Sequence, residues 1–363
     1  MSTTEAWRRA TKILCIRLDS LGDVLMTTPA IRALKRSGAE RRITLLTSPA
    51  GAQVAEMVPE IDQALVYAAP WMKATGPRPD ARKEFALIES LRRAHFHAAV
   101  VFTVYSQNPL PSAFLCYLAG IPLRLAHCHE NPYQLLSDWV ADPEPSQLVR
   151  HEVRRQLDLV AQVGCRTNDE RLSLRVPTAA RERVGRLLAA LRVKGRRWIV
   201  IHPGSTAASR RYPPEQFAEV ARLLAQKKRY QVVFTGVAEE TELVGRIRAA
   251  MRCESHSLCG RLNLGELAAL LEAAPLLVSN NTGPVHVAAA LGTPVVDLYA
   301  LTNPQHTPWA VPHRVLSHEV SCKYCYKSVC PAGHHDCLRL VTPAEIVAAA
   351  EELLAQRIAA RAA

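Results

Sequence analysis

Asp23 is the first side chain whose type and place in the sequence could carry out a reaction. It ends the polar stretch Asp19-Ser20-Leu21-Gly22-Asp23, which follows an apolar run and precedes a helical pattern. A carboxylate in the first turn of a helix is favoured by the helix dipole, so Asp23 can be a capping residue. The alternative is a general base that removes a proton from a hydroxyl group, with Gly22 permitting close approach of the substrate. The local sequence leaves both interpretations open.

Residues 202–214 form a second candidate loop, which follows the strand pattern WIVIH and carries small hydroxyl side chains, one glycine and two arginines. Backbone amides and hydroxyl groups can surround a phosphate while the forked guanidinium of an arginine neutralises it. An ordinary solvated loop is the alternative. The candidates for anion binding in this segment are His202, Ser205, Thr206 and Arg210.

Two further loops place polar side chains after a strand pattern. Residues 279–286 read SNNTGPVH and open a helical segment, where free backbone amides offer another anion site. Glu240 follows the strand pattern QVVFT, and an acidic residue there can bind ribose hydroxyls. The alternatives are a structural hydrogen-bonding histidine and the start of a surface helix. The residues singled out in these loops are Asn281, Thr282, Gly283, His286 and Glu240.

The elements that position these loops alternate between short apolar strand patterns and helical patterns, which indicates parallel sheets with helices on both faces. Two groups of such units, on either side of the charged segment 178–197, predict two doubly wound α/β domains that face each other across a cleft. Ligands of such sheets bind beyond the carboxyl ends of the strands, where the candidate loops lie. The predicted strands are 12–18, 42–46, 98–102, 198–202, 231–235, 276–279 and 295–299, and an amphipathic helix is predicted over 343–363.

Composition excludes a disordered or fibrous chain, because 48% of the 363 residues are hydrophobic and 21% are charged. The net charge of +12 suits an anionic partner: a nucleotide, a phosphorylated glycan, a membrane surface or nucleic acid. The N-terminus lacks the pattern of a signal peptide and no apolar run is long enough to span a bilayer, so a cytoplasmic protein is expected. A non-enzymatic nucleic-acid binder is disfavoured, since aromatic residues are only 6% and the arginine pairs are spread along the chain.

Several motifs in one order point to a family. The chain carries ILCIRLDSLGDVLMTTPAIRALK near its start, HPGSTAASRRYPPEQFAEVARLL in its middle, and then TGVAEETELV and LCGRLNLGELAALLEAAPLLVSNNTGPVHVAAALGTPVV. In these motifs it resembles the family 9 glycosyltransferases, typified by the ADP-heptose:lipopolysaccharide heptosyltransferases. The resemblance implies the GT-B fold of two Rossmann-like domains: an acceptor-binding domain over 1–175, a nucleotide-sugar-binding domain over 176–342, and a C-terminal helix over 343–363.

The same resemblance implies roles for the acceptor-side and phosphate-binding residues. Asp23, in the SLGD motif with Ser20 and Gly22, is the expected general base that deprotonates the acceptor hydroxyl. Arg210 stands where the family usually has Lys in its K-x-W-P segment, so it is expected to stabilise the leaving diphosphate, and Tyr212 replaces the Trp. The guanidinium keeps the positive charge but changes its geometry.

On the donor side, Asn281 stands where many members have Asp in the D-[ST]-G-x-x-H motif, which puts an acidic role at that position in doubt. The remaining motif positions match. Glu240 aligns with the acidic residue expected to meet the ribose of the donor. The matching positions are Thr282, Gly283 and His286.

The function implied is inverting transfer of a heptose from ADP-heptose to an inner-core sugar of lipopolysaccharide at the cytoplasmic face of the inner membrane. The basic chain suits a phosphorylated acceptor and anionic lipids. The sequence has no Asp-x-Asp pair of the kind used by metal-dependent glycosyltransferases, so catalysis without a metal cofactor is expected. The alternative is another nucleotide sugar or an acceptor other than lipopolysaccharide.

The late cysteine-rich segment has the spacing C-x2-C-x4-C-x6-C and contains two histidines. Four soft ligands so close together could hold a structural Zn or Fe ion. Reduced thiols packed in a loop and a labile disulfide are the alternatives. The segment lies apart from the candidate loops in sequence, so it need not touch the chemistry. The proposed ligands are Cys322, Cys325, Cys330 and Cys337.

Overall fold

The computed structural model describes residues 3–73, 75–193, 195 and 197–362. The chain divides into two compact units between Arg175 and Val176. Within the described residues each unit contains one six-stranded sheet in which every pair of neighbouring strands is parallel. The prediction of two doubly wound α/β domains is therefore confirmed.

The first unit has the strand order β3-β2-β1-β4-β5-β6. Its strands are β1 (Lys12–Arg17), β2 (Arg42–Thr47), β3 (Gln63–Val66), β4 (Ala98–Val101), β5 (Leu123–Cys128) and β6 (Asp138–Ala141). Its helices are α1 (Thr3–Arg9), α2 (Leu21–Arg36), α3 (Pro49–Ala55), α4 (Arg82–Ala94), α5 (Leu110–Leu118) and α6 (Glu152–Ala161).

The central strand β1 of the first unit is apolar along nearly its whole length because helices cover both faces of the sheet. Its residues from Ile13 to Ile16 are fully buried or nearly so. The strand order reverses between β1 and β4, so the loops after these strands diverge and leave a crevice at their carboxyl ends. The loop Leu18–Ser20 and the start of α2 lie at this point.

The second unit repeats the same topology, with the order β12-β11-β10-β7-β8-β9. Its strands are β7 (Trp198–His202), β8 (Gln231–Phe234), β9 (His256–Ser257), β10 (Leu277–Asn280), β11 (Val295–Leu298) and β12 (His313–Leu316). Its helices are α7 (Thr178–Ala190), α8 (Pro214–Arg222), α9 (Thr241–Met251), α10 (Leu264–Ala273), α11 (Gly283–Ala290), α12 (Asp336–Arg339) and α13 (Pro343–Ala362).

The strand order of the second sheet reverses between β10 and β7, so a second crevice lies at the carboxyl ends of these neighbouring strands. One face of the sheet packs on α8, α9 and α13, with Phe217, Ile247 and Leu353 in the same buried cluster. The predicted C-terminal helix is thus part of this core. None of the described helices has the length and apolar character needed to cross a bilayer.

Each of the seven predicted strands is present with its ends within one residue of the prediction. The prediction missed five others, and four of them are edge strands of their sheets. Edge strands need no continuous apolar run, and these four have at most partly buried residues. The charged segment 178–197 contains α7, and its residues 194 and 196 lie outside the described part. The missed strands are β3, β5, β6, β9 and β12.

Candidate active site

Asp23 lies in the first turn of α2, just beyond the carboxyl end of β1. Its Oδ2 atom accepts hydrogen bonds from the backbone amide of Ser20 at 3.1 Å and from the Ser20 hydroxyl at 2.7 Å. Gly22, next to it, is buried. These bonds fit the capping interpretation. The Asp23 side chain nevertheless has 15% of its surface exposed, so the carboxylate is accessible to a substrate.

Arg17, the last residue of β1, is a fully buried cation that the sequence analysis did not single out. Its guanidinium lies 3.2 Å from Asp23 Oδ1, 3.0 Å from Asp19 Oδ2 and 2.7 Å from Glu152 Oε1. Glu152, in α6, is also fully buried. The sequence signal for Arg17 was a charged residue within a mainly apolar strand pattern. A charged residue is buried in such a strand only when it is paired, so a partner was to be expected. These four residues are called the base cluster below.

The base cluster contains three carboxyl groups around one guanidinium, and burial changes the protonation of two of them. Burial raises the pKa of Asp19 to about 6, while Arg17 opposes the shift and Asp23 adds to it. Burial also raises the pKa of Glu152. Carboxyl groups with a pKa close to neutral are better proton acceptors at physiological pH than ordinary carboxylates. The cluster is therefore chemically able to take a proton from a hydroxyl group.

In the second unit, Asn280 fixes both ends of the loop that follows β7. Its Nδ2 atom donates to the carbonyl oxygen of Pro203 at 2.7 Å, and its Oδ1 atom accepts from the backbone amide of Tyr212 at 3.0 Å. Asn280 is fully buried at the end of β10, so the neighbouring strand positions this loop. Asn281 was a predicted site residue and Asn280 was not, although two consecutive asparagines after an apolar strand were a signal for both.

The loop between Pro203 and Tyr212 presents its candidate residues in different ways. Ser205 is buried, and its hydroxyl donates to a carbonyl oxygen of the same loop at 3.3 Å. Thr206 is exposed, and Arg210 is partly exposed. Tyr212 is fully buried, with its hydroxyl 2.7 Å from a carbonyl oxygen just before α13. The aromatic residue thus anchors the loop, whereas Thr206 and Arg210 remain accessible to an anion.

His202, the last residue of β7, is buried, and its Nδ1 atom lies 3.0 Å from the hydroxyl of Thr235, which follows β8. Burial lowers the pKa of His202 to about 4, so the ring is neutral at physiological pH. A neutral imidazole adds no positive charge to a phosphate site. The contact that the structure shows for His202 is a hydrogen bond between two strand ends.

Glu240 packs against the backbone of two glycines at the ends of β7 and β8. A Cβ atom built on Gly204 would lie 1.9 Å from Glu240 Oε1, and one built on Gly236 would lie 2.9 Å from Glu240 Oε2. Glu240 Oε2 also accepts a hydrogen bond from the backbone amide of Val237 at 2.9 Å. Because neither glycine has a side chain, the Glu240 carboxylate can occupy this space.

In the predicted role of Glu240 as a ribose-binding residue, replacing Gly204 with alanine should displace its carboxylate and weaken nucleotide binding about tenfold, because that predicted hydrogen bond would be lost. The melting temperature should change little, since the displaced group is the end of a flexible side chain. Gly185→Ala, in α7, is the matched control, because a Cβ atom there meets nothing within 4 Å. Calorimetric titration with ADP measures the effect, and equal affinities of the two variants would contradict it.

Helix α11 begins at Gly283, with Thr282 as its N-cap residue, directly after β10. Pro284 has no amide hydrogen, and the amide of Val285 donates to the carbonyl oxygen of Thr282 at 3.0 Å. Within the described part of the chain, the amide of Gly283 is the donor in this first turn that can meet an anion. Thr282 and Gly283 are partly exposed, whereas Asn281 and His286 are buried. The structure thus places all four residues of the predicted motif at one helix start, beside the end of β7.

Asp297 is a fully buried carboxylate in β11 that the sequence analysis missed. Its Oδ2 atom accepts a hydrogen bond from Asn281 Nδ2 at 2.9 Å, and its Oδ1 atom has no hydrogen-bond partner among the described residues. Burial raises the pKa of Asp297 to about 8, against the hydrogen bond from Asn281 and the positive charge of Arg210. The sequence signal for Asp297 was a single acidic residue within the apolar run VVDL.

Replacing Asp297 with asparagine should change how the free energy of unfolding depends on pH. The unfolded chain loses this proton near the ordinary pKa of 3.8, whereas the folded chain holds it up to about pH 8. Between these values the folded state binds more protons, so the wild type loses stability relative to the variant as pH rises. Urea denaturation of both proteins near pH 5 and near pH 8 measures this difference. A difference that stays constant with pH would contradict the shift.

The cysteine-rich segment contacts the candidate loops, although it is distant from them in sequence. The hydroxyl of Ser209 donates to the carbonyl oxygen of Lys327 at 2.7 Å, and the amide of Ser209 donates to that of Ser328 at 3.0 Å. The amides of Tyr324 and Tyr326 bond to the backbone after β11. Distance along the sequence therefore does not separate this segment from the loop after β7.

The predicted metal ligands are not assembled within the described residues, where no three His, Cys, Asp or Glu side chains form a group that could hold a metal ion. Cys322 Sγ lies 3.6 Å from His334 Nε2 instead. The pKa of Cys337 is raised by burial and, to a smaller extent, by the three other thiols of the segment. The thiols are thus neighbours, although they form no metal-binding group within the described residues. The ligands predicted were Cys322, Cys325, Cys330 and Cys337.

Comparisons with known proteins agree with this architecture. Lipopolysaccharide heptosyltransferase 2 of Escherichia coli K12 is 28% identical over 360 residues, which cover 95% of this chain and 99% of that protein. The structure of the Escherichia coli ADP-heptose lipopolysaccharide heptosyltransferase II superposes with a TM-score of 0.74 at 25% identity, over 95% of this chain and 99% of that one. A family 9 glycosyltransferase from Veillonella parvula DSM 2008 reaches a TM-score of 0.79 at 22% identity, with 98% and 100% coverage.

These structures confirm the predicted GT-B fold class of Rossmann-like domains. The family model described as glycosyltransferase family 9 (heptosyltransferase) matches residues 84–335, which is more than half of the chain. The candidate loops of both units lie at the carboxyl ends of their sheets. The resemblance seen in the motifs extends over 95% of the chain. The protein belongs to glycosyltransferase family 9.

Proposed function

We propose that this glycosyltransferase transfers a heptose from ADP-heptose to an inner-core sugar of lipopolysaccharide, with inversion at the anomeric carbon. The observation that carries the proposal is the base cluster, in which Asp23 is a partly exposed carboxylate held at the carboxyl end of β1 by Ser20 and Arg17. The names of the Escherichia coli relatives support the choice of donor and acceptor.

In the proposed reaction the first unit, 1–175, binds the acceptor, and Asp23 is the general base. The acceptor hydroxyl attacks the anomeric carbon of the donor as its proton passes to Asp23, which stays in place through its bonds to Ser20 and Arg17. A single displacement of the diphosphate inverts the anomeric centre.

The second unit, 176–342, binds ADP-heptose in this proposal, and α13 completes its core. The guanidinium of Arg210, the hydroxyls of Ser205 and Thr206 and the backbone amide of Gly283 at the start of α11 bind the diphosphate. Negative charge grows on the diphosphate as it leaves, and fixed donors and a cation stabilise that charge most in the transition state. Glu240 accepts hydrogen bonds from the ribose hydroxyls. Catalysis in this scheme uses no metal cofactor.

The proposed place of action is the cytoplasmic face of the inner membrane, with peripheral contact to its anionic surface. The net charge of +12 supports this, because lipopolysaccharide core acceptors and anionic lipids are both negatively charged. Exposed charges separated by more than about 10 Å are screened at 0.1 M salt. Association with anionic vesicles should accordingly weaken as salt is added.

Incubation of the purified protein with ADP-heptose and truncated core acceptors tests the proposal. We expect the acceptor mass to increase by one heptose, and ADP, rather than GDP or UDP, to raise the melting temperature, since only a real ligand stabilises by mass action. Stabilisation by GDP or UDP alone, without heptose transfer, would contradict the proposal. That result would favour another nucleotide sugar or an acceptor other than lipopolysaccharide.

The Zn or Fe ion predicted at the cysteine-rich segment has no part in this mechanism, because three ligands do not converge there in the described structure. Elemental analysis of the purified protein, beside a variant with all four cysteines of the segment changed to serine, checks that prediction. A stoichiometric metal that the variant lacks would show that the segment closes around an ion.

A further inference from the structure

The donor site departs from the family pattern at position 281, where an asparagine stands in place of the aspartate that many members have. Asn281 follows β10 directly, next to the start of α11. A carboxylate is nevertheless present one strand away, because Asp297 lies in β11 and its Oδ2 atom is 2.9 Å from Asn281 Nδ2. The carboxyl group expected at position 281 is thus absent there and present at position 297, on the neighbouring strand.

Two acceptors fix the orientation of the Asn281 amide. Its Nδ2 atom donates to Asp297 Oδ2 at 2.9 Å and to the carbonyl oxygen of His306 at 2.9 Å. The carbonyl oxygen of His306 can only accept, so the amide nitrogen and not the amide oxygen must face this side. Both N–H groups are therefore used inside the unit. The Oδ1 atom is left as the atom through which Asn281 can accept a hydrogen bond from a ligand.

An aspartate at position 281 would lose the contacts that the amide makes. Ionised, it offers only acceptor oxygens, and one of these would face the carbonyl oxygen of His306 at the distance that now holds a hydrogen bond. Two carboxylates so close cannot both ionise without strong repulsion. One amide and one carboxyl satisfy each other, whichever of the two positions carries the acid. Asn281 and Asp297 are called the acid–amide pair below.

We propose that Asp297 is a positioning residue for the donor: it holds the Asn281 amide so that Oδ1 accepts a hydrogen bond from the nucleotide sugar at the start of α11. This inference rests on the proposed function, because it assumes that the start of α11 binds the donor. Asp297 does not touch the donor itself, since it is fully buried. The positive charge of Arg210 acts on Asp297, which links the pair to the loop after β7.

The variant Asp297→Leu separates positioning from a merely structural role. Leucine is close to aspartate in shape, but it leaves one N–H group of Asn281 without its acceptor, so the melting temperature should fall. The carbonyl oxygen of His306 alone then holds the amide, so its orientation is less strictly fixed. We expect the donor KM to rise about tenfold, with the acceptor KM unchanged within about twofold. A merely structural role predicts a lower melting temperature with an unchanged donor KM.

Exchanging the two side chains tests the pair directly. Asn281→Asp alone should raise the donor KM about tenfold or more, and the double variant Asn281→Asp/Asp297→Asn should return it to within about threefold of the wild type. Asn263→Asp is the matched control, because Asn263 caps α10 and aspartate is an equally good cap. A double variant no better than Asn281→Asp would overturn the inference.

Binding of ADP to the wild type distinguishes failure of this inference from failure of the proposed function. A wild type that binds no ADP and transfers no heptose overturns both, since the inference assumes a donor site for that nucleotide. If the wild type binds ADP and transfers heptose while Asp297→Leu keeps the wild-type donor KM, only the inference is overturned. ADP affinity is measured by calorimetry, and the kinetic constants by the mass assay.

Discussion

Asp23→Asn should lower the rate of heptose transfer by a factor of about 10² to 10⁴, which is the range that general-base catalysis contributes. The amide oxygen can still accept the two hydrogen bonds from Ser20, so the cap of α2 is kept. Arg17 retains its other two carboxylate partners. Because the change leaves the second unit untouched, ADP affinity should stay within about threefold of the wild type. The mass assay gives the rate and calorimetry gives the affinity.

Glu345→Gln is the control for the capping interpretation of Asp23. Glu345 lies in the first turn of α13, where its Oε2 atom accepts hydrogen bonds from the amide and the hydroxyl of Thr342, both at 2.7 Å. The geometry repeats that of Ser20 and Asp23, without a buried arginine beside it. If the two variants lose similar amounts of activity, or if Asp23→Asn loses ADP binding together with transfer, the carboxylate of Asp23 is only a cap.

Arg17→Met should destabilise the protein by about 3–5 kcal/mol, the cost of removing one partner from a buried group of charges. Asp19, Asp23 and Glu152 would then share a buried space with no cation. Protonation of these carboxyl groups relieves part of the repulsion, so the loss should be smaller in acid. Urea denaturation near pH 5 and near pH 8 measures the free energy of unfolding in both conditions.

Arg171→Met provides the comparison with an exposed ion pair. Arg171 keeps 75% of its side-chain exposure and lies 2.9 Å from Asp169. Exposed pairs of this kind contribute little to stability, because solvent and salt screen them. A loss for Arg17→Met as small as that for Arg171→Met would show that the base cluster relaxes or takes up water. In that case Arg17 would not be what holds Asp23 in position.

The sequence could predict the strands that have helices on both sides, because full burial leaves a run of apolar residues. It could also predict Asp23, Arg210 and the residues around Gly283, since each follows such a strand and the carboxyl ends of parallel strands meet at one edge. The parallel order then accounts for the assembly of the loops after β7, β8 and β10 in the second unit.

Other parts of the site required the tertiary structure. Arg17 and Asp297 are single charges inside apolar strands, and only the neighbouring strands and helices show which groups balance them. Asn280 and Asn281 are adjacent in sequence, yet one fixes the loop after β7 and the other bonds to β11, because successive side chains of a strand point to opposite sides. His202 belongs to a loop motif in the sequence, but its burial makes it neutral.

The bonds between Ser209 and the cysteine-rich segment give the protein a native attachment point for a reporter dye. Of its ten cysteines, five are buried, and the pKa of Cys116 is raised by burial to about 12, so such thiols do not react with maleimides at neutral pH. Four of the five partly exposed cysteines lie in this segment. A fluorophore attached there would sit beside the loop that carries Arg210, and its emission would follow nucleotide arrival and departure in real time.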